Sequence, residues 1–434
     1  MSRIALIFPY FRTNAPTEML FPPLGMASLS SQLRELGIQS SIFDCTFKTF
    51  EQIQKELVAY QPDIIGIYSM ITLSHNTFQI AKATRSRFPR ALLVAGGPFP
   101  TLYPEHYSSH FDVIFRGEVD LSFPRFCQDY LSLRISPLRL EELSLDSYAG
   151  LYIHNNSIEL SNPTIHYPER VIQSFPLPDR SGFDHTAYQE VWLRSSGLRT
   201  TSIITTLGCP FNCDFCSKPV FGNTFRRRNL EQVFTEIEQI RSLGYDNLWI
   251  ADDNFTLDFS HLRKFCVGLT GRNISWSCLS RTTGIKEETT RLMKSAGCKR
   301  VYLGLETGSQ ATLRLMNKQA SLEDGVNAVY KFREAGIEVA AFFIVGYPGE
   351  TSSSIEETFK FSLSLPLDYI SFNVPFPLPG SKLFERVSGI DATKDWSEEN
   401  EVTFIYSSEF DEQWLRQRIG ETMQAFTEKQ NKLP

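Results

Sequence analysis

The sequence predicts an α/β protein with two successive parallel sheets, the first of them doubly wound. Three observations carry this. Short β-rich runs alternate with helical stretches from the N-terminus to about residue 130; the alternation resumes near Thr200 and runs six times; between the two, over residues 131–199, the periodicity weakens. Such alternation argues for parallel strands covered by helices on both faces, with ligands bound outside the carboxyl ends of the strands. At 434 residues the chain has room for two domains and a small third, each with its own core. Hydrophobic residues make up 42% and charged residues 21%, the balance of a globular protein. No apolar run approaches the ~20 residues that cross a bilayer, and Ile4 to Phe8 is too short for a signal-peptide core, so a cytoplasmic location is expected. Net charge is −6, from 43 basic against 49 acidic residues, with no long basic stripe, which argues against nucleic acid as a partner.

In the first domain, residues 1–130, the strand Ile4 to Phe8 precedes the helix Leu24 to Leu36, and Ser40 to Asp44 precedes Phe50 to Tyr60. Ile64 to Tyr68 is followed by Thr77 to Arg87, Ala91 to Ala95 by a Gly-Gly turn and a helix, and Val113 to Phe115 by the helix Leu121 to Tyr130. The informative residues stand at strand ends: Ser69 after the third, Gly96-Gly97-Pro98 after the fourth, Gly117-Glu118 after the fifth. Singly, each glycine is explained by a tight turn. Together they mark backbone that a large ligand approaches, where a Cβ would intrude. The linker, residues 131–199, reads as a small hairpin, Leu151 to His154 and Ile158 to Leu160 about Asn155-Asn156, followed by an ordered crossing at Pro176-Leu177-Pro178-Asp179-Arg180. Its His154, His166 and His185 are assigned no chemistry.

Gly208-Cys209-Pro210-Phe211-Asn212-Cys213-Asp214-Phe215-Cys216 then places three of the eight cysteines within eight residues, directly after the β-branched run Thr200 to Thr206. A strand thus delivers three thiolates into one loop, and three thiolates on a four-iron cube leave one iron open to a small molecule. A structural zinc site needs four ligands, and no second Cys or Cys/His pair stands at finger spacing. A disulfide would leave an odd thiol. The remaining Cys45, Cys127, Cys266, Cys278 and Cys298 are scattered, as small buried residues in a reducing compartment are.

This spacing, with the aromatic Phe215 before the last cysteine, resembles the signature of the radical S-adenosylmethionine (SAM) superfamily. The resemblance implies a [4Fe-4S] cluster on Cys209, Cys213 and Cys216, SAM chelated by the open iron and cleaved to methionine and a 5′-deoxyadenosyl radical, and an external electron donor such as flavodoxin or ferredoxin. It also implies a partial (β/α)6 barrel over residues 200–380. The elements suit that barrel. Asn229 caps a helix whose Leu230, Val233, Phe234, Ile237 and Ile240 share one face. Strands follow at Asn247 to Ala251, Ile274 to Ser280, Arg300 to Leu305, Val339 to Val345 and Tyr369 to Val374, with helices starting near Asp258, Lys286, Leu322 and Ser353. Function in such barrels gathers at the carboxyl ends of the strands. There stand Asp252-Asp253-Asn254, Arg281, Glu306 within Gly304-Leu305-Glu306-Thr307-Gly308, and Gly346-Tyr347-Pro348-Gly349-Glu350. The resemblance implies that one of Asp252 and Asp253 meets the ammonium of SAM, Arg281 its carboxylate, Glu306 its amine or ribose, and the backbone at Gly346 its adenine. The plainer alternatives are a helix cap for the acidic pair and a mutual ion pair for Arg281 and Glu306. Arg226-Arg227-Arg228 reads as a solvated or structural run.

In order, Pro22 to Gly25, Ser69, Gly96-Gly97-Pro98 and Gly117-Glu118 resemble the cobalamin-binding domain that precedes the radical SAM domain in one large subfamily. The resemblance implies that these strand ends cradle cobalamin. One departure stands out: where many such domains carry Asp-x-His-x-x-Gly, this chain reads Asp44-Cys45-Thr46-Phe47-Lys48-Thr49, so no histidine of that motif ligates cobalt. The best-known members are methyltransferases acting on unreactive carbon of small molecules, beside an anaerobic porphyrin cyclase and a ring-contracting oxidase. A non-catalytic cobalamin or redox sensor is the competing reading from another class. No catalytic acid or base is identified. The extension, residues 381–434, carries a helix from about Asp411 to Lys432 with Leu415, Ile419, Met423 and Phe426 on the face expected to pack on the barrel.

Overall fold

The computed structural model describes residues 3–12, 20–133, 136–218, 220–390 and 404–432, so residues 391–403 of the expected extension lie outside the described residues. The first sheet contains β1 (Arg3–Phe8), β2 (Gln39–Asp44), β3 (Ile64–Tyr68), β4 (Leu92–Gly96), β5 (Val113–Phe115), β6 (Leu151–His154) and β7 (Glu159–Ser161) in the order β2-β1-β3-β4-β5-β6-β7. Strands β1 to β5 are parallel. Alternation along them buries Ile4, Leu6, Val94 and Phe115 on one face and Ala5, Ile7, Leu93 and Ala95 on the other, as a sheet covered on both sides requires.

The hairpin expected in the linker is part of this sheet rather than a separate unit. Its first strand pairs antiparallel with β5, Ile114 opposite Tyr152 and Phe115 opposite Leu151. A strand as short as β5 would otherwise expose unpaired backbone at the sheet edge, and the hairpin covers it. Beyond it, the helix His185–Ser196 crosses toward the second sheet, capped by the Asp184 side chain.

The second sheet contains β8 (Thr200–Ile203), β9 (Asn247–Ile250), β10 (Ser275–Ser280), β11 (Cys298–Glu306), β12 (Glu338–Ile344) and β13 (Tyr369–Asn373), all parallel and in sequence order. Leu248, Ile250, Trp276, Val301, Leu303 and Val339 face the helices and form the main core, which also holds Cys266, Cys278 and Cys298. The intervening residues line a concave interior. The helix Leu230–Ser242 is capped by Asn229 and buries Val233, Ile237 and Ile240 in that core. Strand β8 stops short of the expected Thr206, because Thr206–Leu207 leaves the sheet to pair antiparallel with Arg226–Arg227. The C-terminal helix Glu412–Gln430 places Leu415 against Val345, Ile355 and Phe359. Among the described residues no helix is long and apolar enough to cross a membrane.

Candidate active site

The antiparallel pairing of Thr206–Leu207 with Arg226–Arg227 closes the cysteine loop at its base. Further along, Lys218 Nζ donates to the carbonyls of Cys209, at 2.9 Å, and Phe211. The Asp214 N–H donates to the Met316 carbonyl and the Leu383 N–H to the Asp214 carbonyl, both at 2.9 Å. The loop is therefore held from both flanks. All three thiols are free; Cys209 and Cys213 are half-buried and Cys216 is exposed. Among the described residues no three His, Cys, Asp or Glu side chains converge on a point that could hold one metal ion. Arg281 Nη1 lies 3.3 Å from Cys213 Sγ, a donor aimed at sulfur. The donor set fits a [4Fe-4S] cluster with one iron left open.

The mouth of the barrel separates the two acids that follow β9. Asp252 is buried and accepts from Thr205 N at 2.6 Å, Thr205 Oγ1 at 2.6 Å and Thr206 Oγ1 at 2.7 Å. Burial still pushes its carboxyl up to about 6, against those bonds. It fastens β9 to the loop, with three of its acceptor positions taken. Asp253 points the other way and is exposed. The walls of the mouth raise its carboxyl, while Lys218 and the Gly208 N–H oppose them.

Arg281 and Glu306 neither pair with each other nor stand free. Arg281 is buried, with its guanidinium over the Phe211 ring at 3.8 Å and one nitrogen bonded to the Lys318 carbonyl. It supports the cysteine loop instead of presenting an open cation. Glu306 forms a buried ion pair with Lys318. It does so from a left-handed backbone, φ +65°, a conformation that is costly without glycine and clusters at functional sites. Lys318 is thus a mouth residue that the sequence did not single out. Phe215 packs with Met316, Tyr347 and Leu383, and its ring centroid lies 5.7 Å from Lys318 Nζ.

At Gly346, φ +79°, an added Cβ would stand 2.8 Å from Phe404 Cζ and 3.1 Å from Leu415 Cδ1, so the glycine makes room for the C-terminal segment. Beside it, Tyr347 is fully buried with no partner for its hydroxyl. Glu350 accepts from the Tyr347 N–H at 2.8 Å, and burial pushes its carboxyl up to about 7.

At the carboxyl ends of the first sheet lies a cavity of about 350 Å³. Gly96, Gly97, Pro98, Gly117 and Glu118 line it, and so do Gly25 and Met26 of the helix Leu24–Glu35. The linker adds Ile172, Phe175 and Pro176, and the cysteine loop adds Leu207, Val220 and Phe221. Ser69 is not among the lining residues. Its hydroxyl is buried against Tyr107 Oη at 2.7 Å and Thr77 Oγ1 at 3.1 Å. Gly97, at φ +114°, sits back to back with it, and an added Cβ would lie 2.5 Å from the Ser69 carbonyl oxygen. Strand-end packing alone therefore demands that glycine.

Glu118 is likewise spoken for. Its carboxylate takes a bidentate Arg226, at 2.6 and 2.8 Å, together with the Tyr167 N–H and His166 Nδ1, both at 3.0 Å. It ties the first domain to the linker and the cysteine loop. Asp120, two residues on, lines the cavity, and burial together with Glu118 pushes its carboxyl up to about 6. Where a cobalt-ligating histidine would stand, Thr46 bonds Asp44 at 2.6 Å, Tyr188 Oη bonds Asp44 at 2.8 Å, and Phe47 meets the Tyr188 ring edge-on at 4.8 Å. The helix His185–Ser196 closes that corner. An apolar cavity at open strand ends, with no imidazole among its lining residues, fits a corrin bound without histidine.

Comparison with known proteins agrees with this geometry. The model of the Radical SAM superfamily matches residues 203–362, and that of the B12 binding domain matches residues 14–126. The uncharacterized methyltransferase PH0819 of Pyrococcus horikoshii is 30% identical over 84% of this chain and 78% of its own. The anaerobic magnesium-protoporphyrin IX monomethyl ester cyclase of Cereibacter sphaeroides is 25% identical over 93% of this chain, which spans 66% of the cyclase. In fold, the radical S-adenosylmethionine methyltransferase TsrM from Kitasatospora setae superposes with a TM-score of 0.73 at 18% identity, over 88% of this chain and 74% of that one. The cofactors of these two domains are a [4Fe-4S] cluster, SAM and cobalamin. With both domains matched in this order, and a relative 30% identical across most of both lengths, the chain belongs to the radical SAM superfamily, in the branch of enzymes that carry a B12-binding domain ahead of the barrel.

Proposed function

We propose that the chain is a cobalamin-dependent radical SAM methyltransferase acting on an unactivated carbon of a small molecule. The observation that carries this reading is a shared wall: Leu207, Val220 and Phe221 of the cysteine loop line the same cavity as Gly96, Gly97 and Gly117 of the first domain. Residues 1–130 with the added hairpin hold cobalamin, residues 131–199 complete its wall, residues 200–380 hold the cluster and SAM, and the helix Glu412–Gln430 braces the barrel. When bound, the three cofactors supply a one-electron cleavage that yields a 5′-deoxyadenosyl radical and a methyl group for transfer.

The chain's own residues position and exclude. Cys209, Cys213 and Cys216 hold three irons, and Arg281 stabilises negative charge on the Cys213 sulfur. Asp253 faces the ammonium of SAM, and Lys318, shared with Glu306, faces its carboxylate. Phe215 and Tyr347 wall the mouth against water. An external one-electron donor such as flavodoxin or ferredoxin completes the system. All eight cysteines are free thiols, which suits the reducing cytoplasm.

The test is an anaerobic assay of the reconstituted chain with SAM, reductant and a panel of candidate small-molecule substrates, with and without cobalamin. Methyl transfer yields S-adenosylhomocysteine together with 5′-deoxyadenosine, and only with cobalamin present. Cyclisation or oxidation yields 5′-deoxyadenosine alone. If no 5′-deoxyadenosine forms under any of these conditions, the reading fails.

A further inference from the structure

The interior of the barrel indicates what kind of molecule it receives. Because strand residues alternate, the face opposite the buried core is carried by Ser277 and Leu279 on β10, Tyr302 and Gly304 on β11, and Phe342 and Ile344 on β12. Each of these reaches solvent in part, whereas their neighbours Cys278, Val301, Leu303 and Phe343 are buried. The interior is therefore open, and its wall is aromatic. Tyr302 and Phe342 stack with ring centroids 5.7 Å apart and 21° between their planes. Trp249 meets Tyr302 edge-on at 4.8 Å, and Phe21 of the first domain stacks on Trp249 at 6.1 Å. Two residues beyond Phe342, Ile344 packs in the same group as Phe215 of the cysteine loop. A molecule on this wall lies directly below the loop that carries the thiols.

The cations bordering this face are already engaged. Arg300 at the foot bonds Glu338 at 2.9 Å, Lys318 pairs with Glu306, Arg281 bonds Cys213 and the Lys318 carbonyl, and Arg228 pairs with Glu236 at 2.8 Å. An anionic ring substituent entering here would have to compete with Glu306, Glu338 or Glu236 for its counter-ion, or draw Arg281 away from the cysteine loop, and a charge taken from water without a counter-ion is strongly disfavoured. A flat apolar ring system meets a preformed stacking surface instead. We infer that the barrel interior seats a planar, uncharged polycyclic portion of the substrate against Tyr302, Phe342 and Trp249, and rejects molecules whose ring bears phosphate, sulfonate or similar anions. The inference rests on the radical SAM reading above and names the substrate class of that same site.

The experiment uses the full chain carrying its cluster and cobalamin, so that the other apolar cavity is filled, and measures equilibrium dialysis of two probes that share one ring. Pyrene should bind saturably and pyrene tetrasulfonate at least tenfold more weakly. Tyr302→Ala and Phe342→Ala should each weaken pyrene about tenfold, the scale of one lost aromatic contact with its buried area, while Tyr302→Phe retains binding. Iron content reports whether each variant is folded, and Phe342→Leu, which keeps the volume, decides the matter if the alanine variants lose iron. Equal binding of the two probes, or pyrene binding unchanged in the variants, overturns the inference. A chain that forms 5′-deoxyadenosine yet fails these tests loses the substrate class alone; a chain that forms none loses the reading beneath it, and the inference with it.

Discussion

Replacing Lys318 by methionine keeps the length of the stem and removes only the ammonium. In the native fold the Lys318 and Glu306 side chains are 7% and 8% exposed. The substitution therefore leaves a buried carboxylate without its partner. Breaking a buried pair from one side costs about 3–5 kcal/mol. Taking about 4 kcal/mol, and a guanidinium dependence of about 4 kcal/mol per molar for a domain of this size, the unfolding midpoint should fall by about 1 M. A double variant, Lys318→Met with Glu306→Gln, removes both charges and should recover most of the loss, to within about 1–2 kcal/mol of the parent. The assay is guanidinium unfolding followed by tryptophan emission, with the four chains of the cycle measured side by side. If Lys318→Met unfolds within about 0.5 kcal/mol of the parent, or if the double variant is as unstable as the sum of the singles, the pair does not hold the mouth and the argument from burial is wrong.

Four further outcomes are expected. Alanine at Cys209, Cys213 and Cys216 together should abolish bound iron and SAM cleavage, whereas alanine at Cys266, Cys278 or Cys298, which lie in the core behind the sheet, should leave iron content unchanged; full iron in the triple variant would end the cluster assignment. Gly25→Phe should abolish cobalamin binding, read by absorbance, and spare the cluster, because nothing lies within 4 Å of an added Cβ there and the ring enters the cavity freely, while Gly97→Val should damage the domain itself through its clash with Ser69; cobalamin bound normally by Gly25→Phe would place the site elsewhere. The electron paramagnetic resonance signal of bound cob(II)alamin should show no splitting from a protein nitrogen, and a splitting that vanishes with any histidine variant would contradict the closed corner at Thr46 and Phe47. Glu350, held up to about 7 by burial, contributes stability that is complete below the ordinary carboxyl range and lost as pH rises through 7, so Glu350→Gln should flatten that part of the thermal stability profile between pH 5 and 8; parallel profiles would refute the assignment.

What the sequence made legible followed from pattern strength. The helix Phe50–Tyr60 and the strands Ile64–Tyr68 and Val113–Phe115 have the bounds that their apolar spacing indicates. The cysteine loop was readable because three thiols within eight residues allow few chemistries. Direction was not readable. Asp252 and Asp253 are adjacent in sequence, yet one turns inward to three donors and the other to solvent, a difference made by where Thr205 and Thr206 lie in space. Glycine signals that a Cβ is not tolerated without saying what lies opposite. At Gly97 it is the Ser69 backbone, and at Gly346 it is Phe404 and Leu415. Lys318 had no signal of its own: it reaches the mouth from a turn in which Asn317 and Gln319 take φ of +50° and +52°, and although asparagine suits that conformation, glutamine does not announce it.

The run Arg226-Arg227-Arg228 shows what the charges of this molecule are for. Read as a solvated or structural run, it proves structural, a junction: Arg226 bonds Glu118 of the first domain, Arg227 bonds Glu169 of the linker and Asp258 of the barrel at 3.0 Å each, and Arg228 bonds Glu236 on the barrel helix. Glu236, itself fully buried, takes Arg180 of the linker on its other oxygen at 2.7 Å. Apolar residues at the buried positions would serve stability as well or better, since desolvation offsets most of what a buried pair contributes. Bidentate guanidinium geometry does something that greasy contact does not, which is to fix distance and orientation at once. In this chain those pairs stand at the base of the cysteine loop, where its Leu207, Val220 and Phe221 meet the strand ends of the first domain across one cavity. Chemistry divided between two cofactor sites depends on the gap between them, and the ionic ties are placed where that gap is set.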